Sequence, residues 1–312
     1  MALEGKRREL MGKGNHLVPS PRLFCFGFGY CAEALAARLS PRGFRIAGTC
    51  RTESKRAALA ARGIEAFLFD RDRPLDDART ALADATHVLS SVPPDSFGDP
   101  VLDHHGDDLG AQGSVVWAGY LSTTGVYGDR AGDWVDETSP LQPSTERGRR
   151  RAAAEAEWLA TWRRHKLPVH VFRLAGIYGP GRNQVETARA GSAQRIDKPG
   201  QVFSRIHVED VAAVLQASMV HPNPGAVYNV CDDEPAPPAD VVAFACALIG
   251  IEPPPLVPFE RAKLSEMGRS FFSESKRVSN GRIKAELGVR LRYPSYRQGL
   301  QALAAGARPA AD

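Results

Sequence analysis

Residues 23–32 read Leu-Phe-Cys-Phe-Gly-Phe-Gly-Tyr-Cys-Ala, an apolar run that breaks into the spacing G-x-G-x-x-A at Gly27, Gly29 and Ala32. Alone, this spacing is a weak pattern. Entered from a strand-like segment and left by a helix-like one, it restricts the chain to a strand-turn-helix unit that receives a dinucleotide. Gly27 permits the tight turn, Gly29 lets the backbone approach a pyrophosphate, and the small Ala32 lets the helix pack on the strand. Ala32, Leu35, Ala36 and Leu39 follow at i, i+3, i+4 and i+7, one apolar face for a sheet. Amides at the start of this helix, together with its dipole, are the expected phosphate site. Phe28, Tyr30 and Cys31 join the two glycines as expected cofactor contacts.

Short apolar runs recur at 23–26, 46–50, 66–69, 88–91, 115–121 and 169–174, with helical patterns from Tyr30, over 54–62 and over 76–83. That alternation predicts an α/β fold with a doubly wound parallel sheet. Right-handed crossovers put the loops after the strands on one edge, where ligands of such sheets sit. Ser91, Val92 and Pro93 after the fourth run, and Ala175 after the sixth, are therefore expected beside the cofactor. From Gly176 on, proline and glycine rise and the alternation weakens. We expect a nucleotide-binding domain over 21–175 and a smaller C-terminal, substrate-side domain from 176–205 and 232–312. Residues 1–20 are polar and basic with no apolar core of their own, and we expect a disordered extension there, with Met11 as an alternative start.

Composition narrows the function classes. A net charge of +4 over 312 residues does not suggest a nucleic-acid partner, and no apolar stretch approaches the roughly 20 residues that cross a bilayer. The five cysteines (25, 31, 50, 231 and 246) are odd in number and include no C-x-x-C pair, so free thiols in a reducing cytoplasm are expected and no metal site is.

The loop after the second strand bears on cofactor choice. Sites for NAD usually end that strand in Asp or Glu, bonded to the ribose hydroxyls. Here it reads Cys50-Arg51-Thr52-Glu53, with Arg51 falling 22 residues after Gly29, where the acid is expected. A guanidinium offers a planar fork of donors to a 2′-phosphate, so Arg51 with Thr52 points to NADP. Glu53 at the ribose keeps NAD open. Asp70, ending the third strand, either accepts from the adenine amino group or starts a polar turn.

Four further segments carry a resemblance. Tyr120-Leu-Ser-Thr-Thr-Gly-Val-Tyr-Gly-Asp129, Val135-Asp-Glu-Thr-Ser-Pro140, Arg173-Leu-Ala-Gly-Ile-Tyr-Gly-Pro-Gly-Arg182 and Arg205-Ile-His-Val-Glu-Asp-Val-Ala212 resemble the extended short-chain dehydrogenases/reductases. That group includes nucleotide-sugar epimerases and dehydratases. The resemblance implies a Rossmann domain to which the segment 206–231 returns, and a small C-terminal domain closing a substrate cleft. It also implies a Ser/Thr that orients the substrate oxygen, a Tyr that transfers the proton, and a Lys four residues later that tunes the Tyr and binds the nicotinamide ribose.

Thr123 matches the first of these. The Tyr and Lys are missing: Gly148 and the Ala-Ala-Glu ending at Glu155 set a register in which Arg147 fills the Tyr slot and Arg151 the Lys slot. A guanidinium with a pKa above about 12 cannot shuttle a proton near neutrality. The chain thus resembles atypical, extended-type members lacking the Tyr-x-x-x-Lys pair. Tyr127, Tyr178 and Asp95 are the substitute acids to consider, Tyr127 first. Arg182 and Tyr178 are the expected substrate contacts. Phe203 stands where sugar-nucleotide members often carry an Arg for the diphosphate. His207, on an apolar run, reads as structural.

Two function classes follow. One is an NADP-preferring oxidoreductase or epimerase-like enzyme acting on a small carbonyl or sugar-like substrate, with non-standard proton transfer. The other is a catalytically silent NADP(H)-binding sensor or regulator. Through the helix around 147–164, the resemblance allows a homodimer as well as a monomer.

Overall fold

The computed structural model describes residues 20–306; the expected N-terminal extension, apart from its last residue, lies outside them. Strand and helix alternate through the first half: β1 (Arg22–Phe26), α1 (Tyr30–Leu39), β2 (Arg45–Cys50), α2 (Glu53–Ala60), β3 (Glu65–Leu68), α3 (Ala78–Ala81) and β4 (His87–Ser90). Next come α4 (Pro100–Gly110), β5 (Trp117–Thr123), the short β6 (Trp134–Val135), the long α5 (Glu146–His165) and β7 (Val169–Leu174). The rest of the chain holds β8 (Gly176–Tyr178), α6 (Gln184–Arg189), β9 (Arg195–Asp197), β10 (Arg205–His207), α7 (Val208–Val220) and β11 (Val227–Val230). It ends with α8 (Pro238–Leu248), β12 (Leu256–Pro258), α9 (Glu266–Phe272), β13 (Arg277–Val278), α10 (Gly281–Leu287) and α11 (Tyr296–Ala304).

Seven of these strands form one sheet, parallel throughout, in the order β11-β7-β5-β4-β1-β2-β3. This is the doubly wound α/β architecture. Strand order reverses between β1 and β4, and that switch point opens a crevice at the carboxyl edge. Both faces of the sheet are covered, which is why β1, β4 and β7 are buried along their whole length, including the polar members Arg22, His87 and Arg173. On one face α1 lays down Ala32, Leu35, Ala36 and Leu39 beside Val211 and Leu215 of α7. On the other, Leu109 of α4 packs with Ala154 and Trp158 of α5.

Beyond Gly176 the architecture changes. Two two-stranded parallel pairs, β8 with β10 and β9 with β12, lie against a helical cluster of α6, α8 and α11, while a third, β6 with β13, joins the main core through Val135 and Val278. The fifth strand of the main sheet starts and ends two residues later than the sequence pattern predicts. Val116 is exposed, with its amide on the Thr86 carbonyl, and the ladder against β7 extends to Thr123 opposite Leu174. Thr123 is thereby the last residue of β5, at the crevice.

Beneath that edge lies a buried polar network. Arg173 of β7 meets Glu155 of α5 through two parallel bonds, Nη2 to Oε2 at 2.8 Å and Nε to Oε1 at 3.2 Å. Glu155 also accepts from the Ser122 hydroxyl of β5. Arg173 Nη1 donates to the Tyr127 hydroxyl at 2.8 Å, and that hydroxyl donates to Asn229 Oδ1 of β11 at 2.7 Å. Removing one partner of such a pair leaves the other charge buried and alone. Glu155→Ala is therefore expected to lower folding stability by about 3–5 kcal/mol, measured by chemical denaturation; a loss below about 1 kcal/mol would class the pair with surface ion pairs.

Candidate functional site

At the end of β1 the chain turns at Gly27, whose φ of +80° favours glycine. The Gly27 amide donates to Thr49 Oγ1 at 2.8 Å, and the Phe28 amide to the Thr49 carbonyl at 2.7 Å. Ser91 Oγ, from the loop after β4, donates to the Gly27 carbonyl at 2.6 Å, and Val92 packs beside it. Pro93 continues the same loop. Phe28 folds over Gly48 of β2, where any side chain would meet its ring at 2.7 Å. Sequence reasoning missed Gly48, although a glycine inside a strand is itself a sign of close backbone approach.

Gly29 is different. A Cβ built there meets nothing within 4 Å, and Gly29 is the N-cap of α1 with no side chain capping the helix. Uncapped amides at a helix start, facing open space, suit a dinucleotide pyrophosphate. Tyr30 does not face that space as a free acid: its hydroxyl donates to the Pro180 carbonyl at 2.9 Å, and burial pushes its pKa up to about 12. Burial likewise pushes the Cys31 thiol up to about 11. The five cysteines are all free and buried.

The loop after β2 sits at the surface. Arg51 is exposed, and its guanidinium has no hydrogen bond or ion pair among the described residues; its carbonyl accepts from Arg73. Thr52 Oγ1 caps α2, accepting from the Lys55 amide at 3.3 Å. Glu53 is paired with Arg56 at 2.8 Å. Asp70 accepts from Arg73 at 2.7 Å and from the Asp72 amide, the arrangement of a polar turn. Asp95 is gripped by Arg71 at 2.6 and 2.9 Å, which holds its carboxyl below the usual range and removes it as a proton donor near neutrality.

From the glycine loop a cleft of about 670 Å³ runs across the ends of β5 and β7 into the C-terminal part. It brings together Gly29, Tyr30, Cys31 and Ser91 with Thr123, Arg147 and Arg151, and on its far side Ala175, Tyr178 and Arg182. Thr123 Oγ1 accepts from the Gly125 amide at 3.2 Å, which leaves its proton available to a ligand. Arg151 is buried and donates Nη1 to the Leu121 carbonyl at 2.6 Å and to the Tyr120 hydroxyl at 3.2 Å. Arg147, one turn earlier on α5, lies over the Phe271 ring with its Cζ 5.4 Å from the centroid. Arg147 is an exposed residue, yet partial desolvation of its guanidinium in the cleft, then the charges of Arg151 and Arg182, lower its pKa.

Two expected acids are engaged elsewhere. Tyr127 is fully buried, with its hydroxyl between Arg173 and Asn229, and it does not line the cleft. Tyr178 borders the cleft, but its ring packs under Gly299 of α11 and its hydroxyl points to the Ser295 carbonyl at 3.5 Å. Burial raises both phenols. His207 is buried, accepts from the Glu209 amide and stays neutral, with burial holding its pKa down to about 4. Residues not foreseen also line the cleft: Lys276 and Glu274, a buried pair at 2.7 Å, with the Ser144 hydroxyl donating to Glu274. They lie in a polar Ser-Glu-Ser-Lys stretch that follows no recognisable spacing.

Comparison with known proteins gives this geometry a family. The sequence model of the NAD dependent epimerase/dehydratase family matches residues 115–231. Protein YeeZ of Escherichia coli K12 is 31% identical over 282 residues, covering 86% of this chain and 94% of its own. The chain belongs to the NAD-dependent epimerase/dehydratase family. A Streptomyces protein named 3-diazoavenalumate denitrifying reductase is 26% identical over 300 residues, covering 87% of this chain and 96% of its own. The solved structure of a functionally unknown conserved protein from Silicibacter pomeroyi is 54% identical and superposes with a TM-score of 0.84, covering 93% of this chain and all of that one.

Within this family member, no helix among the described residues is long and apolar enough to cross a membrane, and no group of three or more metal-ligating side chains gathers there. The open face of Gly29 generates a direct test. Gly29→Val is expected to fold normally by circular dichroism and to lose dinucleotide affinity in a fluorescence titration, because a branched side chain would stand where phosphate meets backbone. Undiminished binding would put the phosphates somewhere else.

Proposed function

We propose that this protein is an NADP(H)-preferring oxidoreductase or epimerase-like enzyme that acts on a small carbonyl or sugar-like substrate without a tyrosine proton donor. The observation that carries the reading is the open face of Gly29 at the uncapped start of α1, continuous with a 670 Å³ cleft at the sheet's switch point. Membership of an NAD-dependent family and the reductase named among its relatives support it. In this reading the amides from Gly29 to Cys31 hold the pyrophosphate and the Arg51 fork meets a 2′-phosphate. When bound, the nicotinamide supplies or accepts a hydride. The Thr123 hydroxyl orients the substrate oxygen, while Arg151 keeps a positive charge at the end of β5. Lys276, held in the cleft by Glu274, is the protic group we assign to replace the absent tyrosine, since Tyr30, Tyr127 and Tyr178 are engaged elsewhere.

NADP(H) is accordingly expected to bind more tightly than NAD(H). A charge-assisted contact is worth about 1.5–3 kcal/mol, so Arg51→Ala should cut the preference by roughly tenfold or more. Calorimetry giving equal affinities in the parent protein would refute the assignment of Arg51.

Turnover is tested by following NADPH oxidation with aldehydes, quinones and sugar nucleotides. On the best of these substrates, Lys276→Met is expected to lower kcat by about 10²–10⁴-fold, the range for a lost general acid, with cofactor affinity retained. An unchanged kcat would move the proton donor away from Lys276. One observation favours a second reading, an NADP(H)-binding sensor without turnover: Arg147 fills the tyrosine slot and cannot shuttle a proton. Tight NADPH binding with no oxidation of any substrate in the panel would select it.

A further inference from the structure

The cleft lining holds five cationic side chains, Arg147, Arg151, Arg182, Arg205 and Lys276, against the single carboxylate of Glu274. The whole chain, by contrast, carries 40 Lys and Arg against 36 Asp and Glu, so the excess is local. Three of the five have partners. Lys276 pairs with Glu274, Arg151 is held by the Leu121 carbonyl, and Arg205 donates to the Phe203 carbonyl at 2.8 Å and the Ala236 carbonyl at 3.1 Å. Arg147 and Arg182 are left. Neither guanidinium has a hydrogen bond or ion pair among the described residues. Glu146, the acid next to Arg147 in sequence, is taken by Arg149 and Arg150.

The surroundings of Arg147 are partly apolar. Its Cζ lies over the Phe271 ring, 5.4 Å from the centroid, and the neighbouring wall carries Phe203 against Phe272 with ring centroids 5.3 Å apart. A guanidinium with no protein partner keeps its planar N–H fork free for an oxyanion. Arg182 lies nearer the glycine loop, where its charge is felt by Tyr30 and Cys31. Arg147 stands on α5, across the cleft lining from that loop's phosphate site.

We propose that Arg147, with the charge of Arg182 acting from the glycine-loop side of the same cleft, anchors an oxyanion of the substrate, and that the cleft takes small acids whose charged end is carried on a flat apolar body. The proposal rests on the cleft being the substrate site of the proposed function. It assigns Arg147 a binding role in the place of proton transfer. Arg147 and Arg182 are both exposed residues, open to a ligand from solvent, and the like charges of Arg151 and Arg182 around Arg147 are ones a bound anion offsets.

The test is calorimetric titration of the full chain, with and without saturating NADP⁺, using cinnamate, phenyl phosphate and the neutral cinnamamide as probes. One or both anions should bind about ten- to a hundredfold more tightly than the amide, the span of a charge-assisted contact; their ratio tells whether carboxylate or phosphate is preferred. Arg147→Gln should erase that discrimination with NADP⁺ affinity and melting temperature unchanged, and Arg147→Lys should restore part of it. Equal binding of acid and amide, no binding of either acid at millimolar concentration, or discrimination that survives in Arg147→Gln would each overturn the proposal. Anion preference in a protein that fails to bind NADP⁺ would overturn the proposed function and leave the oxyanion site standing. NADP⁺ binding without anion preference would do the reverse.

Discussion

The buried pair between Glu155 and Arg173 is the joint on which the site depends. It fixes α5, the helix carrying Arg147 and Arg151, to β7, whose end forms the cleft floor. Through Ser122 it includes β5, and through Tyr127 and Asn229 it includes β11. Taking two charges out of water costs several kcal/mol each, and only close geometry with further hydrogen bonds offsets it. Here the two-point contact and the Ser122 and Tyr127 hydroxyls supply those bonds. The network is therefore a register device: α5 cannot slide on the sheet without stranding a charge.

That joint also takes up one of three phenols near the cleft, and unrelated contacts take up the other two. Tyr127 is consumed by the network, Tyr30 by the turn at Pro180, and Tyr178 by the packing of α11. Burial makes each a weaker acid than a free tyrosine, so none is tuned for proton exchange near neutrality. What faces the space is cationic. The same scaffold thus offers a site better suited to gripping charge than to passing protons through a phenol, and any turnover must use a different protic group.

Much of the fold was legible in the sequence because its signals are local. Short apolar-rich runs mark strands covered on both faces, the i, i+3, i+4, i+7 face of α1 marks a helix laid on them, and the glycine spacing marks the turn between. Thr123 was picked out by its place in a family motif and not by the strand pattern, which stopped two residues before it. Tyr127 shows the limit, since its motif position says nothing of a contact with Asn229, a hundred and two residues away. Lys276 and Glu274 reach the cleft from far along the chain, through tertiary packing that no short spacing encodes. Gly48 belongs to the same class, needed only because Phe28 folds onto it. The shifted bounds of β5 follow from its pairing, with β4 at its start and β7 at its end, and not from hydropathy.

One side chain joins the two halves of the cleft. The Tyr30 hydroxyl, rooted in the glycine loop, holds the Pro180 carbonyl in the turn that ends at Arg182. The loop and the turn are consequently linked over the length of one phenol. A change that reshapes the turn at Pro180 is thereby felt at the start of α1.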